Sequence, residues 1–444
     1  MSQNQESIRV GPWLRMTFCL FALASSGNVL VAQQQSDSRV SPAESQDVKP
    51  VVLQLPSESQ NVALLGTDQR FVDLETLQTR RRTFFMYGMG LSESYEDFSA
   101  GTAGQNFSDI IWNPHVALIN ASNHSSFSVQ YAPSIVQATS GSSGHQVFHA
   151  GDFSLGQPIA PNWALQLTSS ETYGTDSARL LGPLAFQVNG GVPIVNSNSA
   201  LFQLNRGKVF TTTNDLDLRW QRNPSQAVSF TVGENTLLPD GGPDNSTIFG
   251  QLSYSVAVTS RTGLNFGGNF YHRVFTQGNC DAYGFTVGIS HQFTRYINIW
   301  LGGGPEFMSS PCTGGLGGNY VLSMSVPLSR VSRLGLMAER SYASSFLVNS
   351  QWTDTAAVSY SRQLSEAIGV TLNSGYARSV GALIGPGAYT AYFADADLSW
   401  RLSRTISVTT TYRRFEQVSG GPDQGQNVAM ISLGWNPLPI RIVK

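Results

Sequence analysis

The chain has 444 residues, of which 41% are hydrophobic and only 13% are charged, and its formal net charge is −2. Soluble domains usually carry about one quarter charged residues, so this composition argues against an ordinary soluble domain. The near-neutral charge argues against an electrostatic nucleic-acid binder. Beyond the N-terminus no stretch approaches the roughly 18 apolar residues of a membrane helix, which excludes a helical inner-membrane protein.

The N-terminal residues have the pattern of a secretory signal peptide. Arg9 and Arg15 supply the positive region, and residues 16–24 (MTFCLFALA) form an apolar core that is too short to span a membrane. Small residues then lead to a cleavage site after Ala32, with Ala24 as the alternative. The sequence therefore predicts a signal peptide over residues 1–32. A polar periplasmic segment, 33–82, follows and holds a short helix or a partial plug.

From residue 83 onward, apolar and small polar residues alternate. Val228, Phe230 and Val232 share one face of such a run, and Ser229 and Thr231 share the other. This period of two is that of a β-strand, whereas a helical repeat needs a period near 3.6. The pattern predicts eighteen strands, within a range of sixteen to twenty because residues 175–207 form either a loop folded into the pore or an extra hairpin. The strands are predicted at 83–95, 114–122, 126–136, 147–157, 163–174, 208–222, 226–238, 247–259, 262–275, 282–294, 297–309, 319–329, 333–346, 354–364, 368–380, 389–402, 406–417 and 427–436.

A short turn recurs along the second half of the chain, at intervals of 39, 34, 35, 36 and 38 residues. Each interval holds two long strands, whereas a β-propeller blade of similar length needs four short ones, so the repeat favours a barrel. We predict that the tight turns face the periplasm and that longer loops, at 239–246, 276–281, 310–318, 347–353, 381–388 and 418–426, lie outside. The turns are marked by Arg222, Arg261, Arg295, Arg330, Glu366 and Arg404.

Aromatic residues of the apolar face precede several of the tight turns. Trp220, Phe293 and Trp400 occupy these positions, where an interfacial girdle is expected. The signal peptide, alternating hairpins, girdle and low charge resemble the Gram-negative outer-membrane β-barrel class over residues 83–436, without the motif of any one family. The chain departs from that class by ending in ISLGWNPLPIRIVK, so that Trp435 takes the place of a terminal aromatic residue.

The resemblance implies an all-β, transmembrane, antiparallel up-and-down barrel, residues 83–444, in the cell outer membrane. Its implied partners are outer-membrane lipid and lipopolysaccharide, the barrel-assembly machinery, and small hydrophilic solutes or a glycan.

Alternate residues of each strand point inward, and ten charged residues at such positions are candidates for the pore lining. Two strands carry the similar sequences DLDLRW and DADLSW. These strands lie ten strands apart in an eighteen-strand barrel, so their aspartates are predicted to face each other across the lumen. Charged rings of mixed sign bias the solutes that pass through wide pores; the alternative is that these residues are solvated and satisfy one another. The ten are Asp215, Asp217, Arg219, Arg273, Glu306, Glu339, Asp395, Asp397, Arg401 and Arg413.

The mature chain would keep two cysteines. Cys280 and Cys312 are predicted in loops at the same end of the barrel, where an exported protein can join them by a disulfide, the alternative being two unpaired thiols. The bridge would close about 33 residues and contribute roughly 3–4 kcal/mol in the chain-entropy account.

The function predicted from this pattern is a passive, weakly selective, porin-like channel without enzymatic activity, cofactor or metal. One alternative is the barrel of a polysaccharide export or surface-attachment system. A second is a membrane-embedded hydrolase. For the hydrolase, His272 would face residue 284 of the next strand, which leaves His291 roughly 23 Å away. The looser set His145, His149, Glu171 and Asp176 lacks diagnostic spacing.

Overall fold

The computed structural model describes residues 82–442 with gaps. The predicted signal peptide and polar segment lie outside them, apart from Arg82. The described ranges are 82–100, 103–121, 125–140, 145–175, 186–189, 192–195, 208–239, 245–275, 278–294, 297–309, 315–345, 348–380, 390–418 and 424–442.

These residues form strands and short connections, with no helix in the described ranges. The strands are β1 (Arg82–Ala100), β2 (Ala103–Ala121), β3 (Ser126–Tyr131), β4 (Ser134–Ser140), β5 (His145–Ala160), β6 (Trp163–Thr175), β7 (Phe186–Asn189), β8 (Val192–Val195), β9 (Lys208–Asn223), β10 (Gln226–Pro239), β11 (Asn245–Ala257), β12 (Thr262–Phe275), β13 (Gly278–Gln292), β14 (Asn298–Met308), β15 (Gly315–Pro327), β16 (Ser332–Ser345), β17 (Val348–Gln363), β18 (Ile368–Val380), β19 (Thr390–Arg401), β20 (Ile406–Val418), β21 (Gln424–Trp435) and β22 (Ile440–Ile442).

Twenty of these strands belong to one sheet, and two pairs of them are halves of an interrupted strand. Strands β3 and β4 both pair with β2 and β5, and the break between them contains Pro133, whose nitrogen cannot donate to the ladder. Strands β21 and β22 both pair with β1, and their break contains Pro437 and Pro439. The wall therefore has eighteen strands, as predicted.

The sheet closes on itself. Strand β1 pairs antiparallel with β2 on one side and with β21 on the other, so neither terminal strand leaves a free edge. Trp435 ends β21 and packs edge-on against Tyr87 of β1, with the ring centroids 5.8 Å apart. The segment beyond Trp435 adds β22 to the ladder, where it pairs with residues 83–85. The fold is thus a closed, antiparallel, up-and-down barrel.

The tight turns share one hydrogen-bonding pattern, which explains why their sequences recur. Thr259 Oγ1 accepts from the backbone N–H groups two and three residues later, at 3.1 and 2.9 Å. Ser403 Oγ accepts from the equivalent groups at 3.2 and 3.1 Å. A hydroxyl that satisfies the turn backbone in this way favours Ser or Thr before the tip. Ser365 Oγ accepts both bonds in the same way, Thr294 Oγ1 accepts from the N–H three residues later, and Ser329 Oγ accepts from the N–H two residues later.

The two faces of the wall differ as the alternation predicts. Large apolar side chains on the outward face are exposed, with Leu252 at 54% and Ile431 at 60% of their maximum. Polar side chains of the opposite parity, such as Thr353 and Asn265, point inward and are buried. An apolar exterior around a polar interior is the reverse of a soluble fold, and it requires lipid around the barrel.

The apolar band has a clear upper edge. Glu234, Arg340 and Arg414 all point outward, and each lies eight residues after the first residue of its strand. With the usual strand rise and tilt, that edge is about 20 Å above the turn end, and exposed turn residues such as Leu328 and Leu402 extend the band downward. This height matches a bilayer core. The protein is therefore an integral outer-membrane β-barrel.

The observed strands run further toward the loop end than the sequence indicated. Only residues 276–277 separate β12 from β13, and only 346–347 separate β16 from β17. Cys280 consequently lies inside β13 rather than in a loop. The longest connections, 176–207 and 381–389, are nevertheless at the predicted end, while the turn-end connections are short.

The ambiguous region 175–207 contains a hairpin that is not part of the wall. Strands β7 and β8 pair only with each other. Strand β8 contacts β15, β16 and β17, the twelfth to fourteenth strands of the wall, whereas the chain leaves the wall at its fifth strand and rejoins it at its sixth. The hairpin therefore lies against the opposite part of the wall, away from the strands that precede and follow it in the chain.

Candidate functional site: the inner wall of the barrel

The structure places all ten predicted pore-lining residues on the inward face. Asp215 is buried on β9, and Asp217 and Arg219 follow it on the same face, half-buried. On β19, Asp395 and Asp397 are half-buried and Arg401 is exposed at the turn end. The strands β9 and β19 are the sixth and the sixteenth of the wall, so the two aspartate pairs lie on nearly opposite sides of the lumen.

Each aspartate pair is held by neutral donors from its neighbouring strands. Thr231 Oγ1 on β10 donates to Asp217 at 2.9 Å, and Thr168 Oγ1 on β6 donates to Asp215 at 2.8 Å. On the opposite side, Thr411 Oγ1 on β20 donates to Asp397 at 2.6 Å. These hydrogen bonds fix the carboxylates against the wall, because hydrogen bonds to charged acceptors are the stronger kind.

The β19 pair also faces a cation. Arg413 is the cross-strand partner of Asp395 and shares its inward face. Asn373 Nδ2 donates to the second oxygen of Asp395 at 3.1 Å from the other side. Directly opposed side chains in an antiparallel pair have Cβ atoms about 4.5–5.5 Å apart, so Arg413 lies within reach of both carboxylates.

A second inward cluster of charge lies toward the loop end of β12 to β15. Arg273 and Glu306 are 3% and 2% exposed. The Arg273 guanidinium lies 5.6 Å from the ring centre of Tyr271. Asn319 Nδ2 donates to Glu306 at 3.3 Å. Glu339, the remaining candidate, is on β16, where it pairs with Val321 of β15 and Thr355 of β17.

Aromatic rings fill inward positions that face glycine. Phe249 on β11 opposes Gly233 on β10, and a Cβ on that glycine would meet the ring at 2.4 Å. Phe393 on β19 opposes Gly375 on β18 in the same way, at 2.5 Å. The sequence analysis missed these pairs. A glycine at an inward-pointing position, opposite an aromatic residue of the next strand, would have indicated them.

Solvent access to the wall differs between its two ends. Inward residues near the loop end, including Thr353 and Gln417, are buried. Inward residues near the turn end, such as Ser325 and Thr371, are half-buried, and Arg333 is exposed. The wall is therefore open to solvent toward the turn end and closed to it at these positions toward the loop end.

The predicted girdle residues stand at the turn end on the outward face. Phe293 and Trp400 are exposed, and Trp220 is half-buried because it packs against Trp163, with ring centroids 6.1 Å apart. The sequence reading missed Trp163. It also missed aromatic residues nearer the loop end, where His149 is stacked between Tyr131 and Tyr173.

The histidines weighed for a hydrolase do not come together. The partner of His272 is Asp281, not residue 284, and their Nδ1 and Oδ1 atoms are 2.7 Å apart on the outward face. His291 pairs with Thr262 at the other end of the strands. His149 belongs to the aromatic stack, and Asp176 lies outside the described residues.

Cys280 is buried beside Ala282 and Met308. The backbone N–H of Ser309 donates to the carbonyl oxygen of Asp281 at 2.9 Å, so the chain leaves β14 alongside Cys280. Cys312 follows three residues later, outside the described ranges, and the bridge between the two stays a prediction.

In the described part of the chain, no helix has the length and apolarity needed to cross a membrane. The same residues contain no group of three or more His, Cys, Asp or Glu side chains placed to hold a metal ion.

Comparison with known proteins gives likeness of shape only. No protein-family model and no curated protein matches the chain. The siderophore receptor PirA from Pseudomonas aeruginosa aligns over 81% of this chain and 81% of its own, with 8% identity and a TM-score of 0.43. OccAB4 from Acinetobacter baumannii aligns over 80% and 99%, with 8% identity and a TM-score of 0.45. OccK7 (OpdD) from Pseudomonas aeruginosa aligns over 80% and 100%, with 9% identity and a TM-score of 0.45. At these values the likenesses transfer neither a family nor a function to this chain.

Proposed function

We propose that this protein is a passive, weakly selective pore of the outer membrane for small hydrophilic solutes, with no chemistry of its own. The observation that carries the proposal is the inner wall: a closed barrel of eighteen strands is wide enough for a lumen, and this wall is lined by Ser, Thr, Asn and Gln with a few charges of both signs. Weak, distributed contacts of this kind let solutes pass without being held.

The two aspartate pairs supply a cation-favouring field in this proposal. They lie on opposite sides of the lumen, and Asp217 and Asp397 are half-buried rather than enclosed. Inward arginines oppose them, so the net preference is the difference between the two sets. The sites toward the loop end, where the wall is closed to solvent, limit the rate of passage.

The test is conductance of the refolded full-length chain in a planar bilayer, followed by replacement of Asp215, Asp217, Asp395 and Asp397 with Asn. The wild-type barrel should conduct. The quadruple variant should keep a similar conductance, since Asp and Asn have similar volumes, and its reversal potential in a salt gradient should shift toward anions. Arg219, Arg273, Arg401 and Arg413 would then dominate the wall.

Two outcomes would contradict the proposal. Complete absence of conductance in refolded wild-type protein would show that the barrel is not a pore. An unchanged reversal potential in a conducting variant would show that the aspartates do not line the path. Liposome swelling with neutral sugars of increasing size then measures the size limit.

The proposal also includes export and orientation. Removal of residues 1–32 would leave a polar segment before β1, which N-terminal sequencing of the mature protein would detect. The tight turns would face the periplasm, so single cysteines in the opposite loops, introduced in a chain without Cys280 and Cys312, should be labelled in intact cells. Labelling confined to the turns would reverse the orientation.

A further inference from the structure

A recess of about 670 Å³ opens in the inner wall at the turn end of the barrel. It lies between β14 and β19, and its lining includes the turn that joins β15 to β16. Pockets of roughly 300–1,000 Å³ are typical of small-molecule sites, so this recess has room for a solute the size of a disaccharide or a diphosphate.

The lining is polar and basic. Hydroxyl groups come from four strand ends, at Ser325, Ser361, Thr371 and Ser399, and the arginines of the lining include Arg330 in the turn and Arg333 on the inward face of β16. None of the fifteen lining residues is an aspartate or a glutamate. A surface that combines several hydroxyl donors with cations and lacks carboxylates complements an anion with more than one charged oxygen.

The surroundings extend the same sign of charge. Arg401 is exposed on the inward face two residues after Ser399, at the edge of the recess. The described turn residues at this end include Arg261, Arg330 and Arg404, against a single carboxylate at Glu366. Asp397 lies two residues further into the lumen, where Thr411 already donates to it. The mouth at the turn end is therefore basic, and the acidic pairs begin only deeper inside.

We propose that this recess binds multivalent anions, meaning solutes that carry phosphate groups or several carboxylates. The inference rests on the proposed function, because it names the class of solute that the pore would concentrate at its turn-end mouth. Arg330 and Arg333 hold the charged oxygens, and the hydroxyls of Ser325, Ser361 and Thr371 donate to the remaining oxygens of the solute, while the Ser399 hydroxyl donates to the carbonyl oxygen of Gly369. A basic entry raises the local concentration of such solutes even where binding is weak.

The test measures binding without relying on passage. Pyrophosphate is titrated calorimetrically into the refolded full-length barrel in a neutral detergent at low salt, and digalacturonate is titrated in a parallel series. Saturable binding of either probe is expected, and its affinity should fall as salt is added. The first probe reports phosphate recognition, and the second reports recognition of an acidic sugar, as a glycan-export barrel would require.

Variants assign the binding to the recess. Arg330→Gln with Arg333→Gln should weaken binding by about a hundredfold, because each variant removes one charged contact and one such contact corresponds to about tenfold in affinity. Arg330→Gln alone should weaken it by a smaller factor, and it tests the idea even if the double variant fails to fold. Arg261→Gln removes another exposed arginine, from a turn outside the recess, and it should leave the affinity unchanged.

Three results would overturn the inference: no saturable binding of either probe, equal weakening by Arg261→Gln and Arg330→Gln, or unchanged binding in the double variant. A barrel that conducts but binds neither probe would refute the recess and leave the pore intact. A barrel that binds but does not conduct would refute the pore and leave the recess intact.

Discussion

The hairpins β9–β10 and β19–β20 stand on opposite sides of the lumen and carry nearly the same site. In both, two aspartates two residues apart point inward, a threonine fourteen residues after the second aspartate donates to it, and a tryptophan stands outward before the turn. The corresponding residues, Asp215 and Asp395, Asp217 and Asp397, Trp220 and Trp400, Thr231 and Thr411, are each 180 positions apart.

The hairpins differ at the position opposite the first aspartate. Strand β20 places Arg413 there, whereas β10 places Gly233, and the ring of Phe249 from β11 occupies the space above that glycine. A short local sequence therefore determines which face a carboxylate takes and which hydroxyl reaches it. The charge and packing around the carboxylate are instead decided by strands that the local sequence does not contain.

We expect the largest loss in the free energy of unfolding when a side chain is added at Gly233, on the hairpin β9–β10. In Gly233→Ala the new methyl group would meet the Phe249 ring at 2.4 Å and the backbone oxygen of Asn214 at 2.5 Å, so the ring and strand must shift. Overpacking of this kind costs about 1–3 kcal/mol. Urea titration of the barrel folded in lipid vesicles measures the loss.

Gly250→Ala is the matched control for that variant. Gly250 lies on the next strand, and a Cβ there meets no atom within 4 Å. Its free energy of unfolding should change by less than about 0.5 kcal/mol, as for other unconstrained surface sites. Equal losses in the two variants would show that the Phe249 contact does not determine the cost.

Removing the positive charge of Arg413 tests the site on the hairpin β19–β20. Arg413→Gln leaves Asp395 and Asp397 without their cross-strand positive charge, and we expect a loss of about 2 kcal/mol because the carboxylates are only half-exposed. Arg414→Gln is the control, since Arg414 is exposed on the outward face and its bridge to Glu416 is 3.3 Å long. Exposed pairs contribute roughly 0–1 kcal/mol. A smaller loss for Arg413→Gln than for Arg414→Gln would contradict the assigned role.

The smallest expected difference is the one between Thr231 and Thr411, in the free energy of unfolding lost when each is replaced by valine. Thr411→Val should cost about 1–2 kcal/mol, because Thr411 is buried and water cannot replace its hydrogen bond to Asp397. Thr231→Val should cost about 0.5 kcal/mol, because Thr231 is half-buried and water can reach Asp217. The same urea titration compares them, and the reverse order would show that solvent access is not what distinguishes the sites.

The fold could be predicted from the sequence because side chains of a β-strand alternate between its two faces with a fixed period of two residues. The alternation around Phe230 and Leu252 indicated the outward face, and the structure exposes both side chains there. The tight turns were predictable because a hydroxyl before each tip, as at Thr259 and Ser403, satisfies the turn backbone locally. The strand ends at the loop side were less predictable, since pairing there continues through residues with no strong local preference.

The candidate site could be predicted only in part. Alternation identified the ten inward charges, but it could not show that Arg413 opposes Asp395 while Glu339 lies between the uncharged residues Val321 and Thr355 in the ladder. The register of His272 was three residues off for the same reason. Pairing across strands depends on where each hairpin turns, and a small error in a turn shifts every partner along the ladder.

The amino-acid sequence was enough to predict the barrel class, a count of eighteen wall strands within a range of sixteen to twenty, and the face of each side chain, because these follow from period, turn chemistry and hairpin count. Which residues face one another across neighbouring strands and across the lumen became known from the three-dimensional fold. It set Arg413 beside one aspartate pair and Phe249 beside the other, carried the β7–β8 hairpin to the far wall, and assembled the basic recess from β14 to β19. Those arrangements join residues that are far apart along the chain, and contacts of that range depend on closure of the whole ladder.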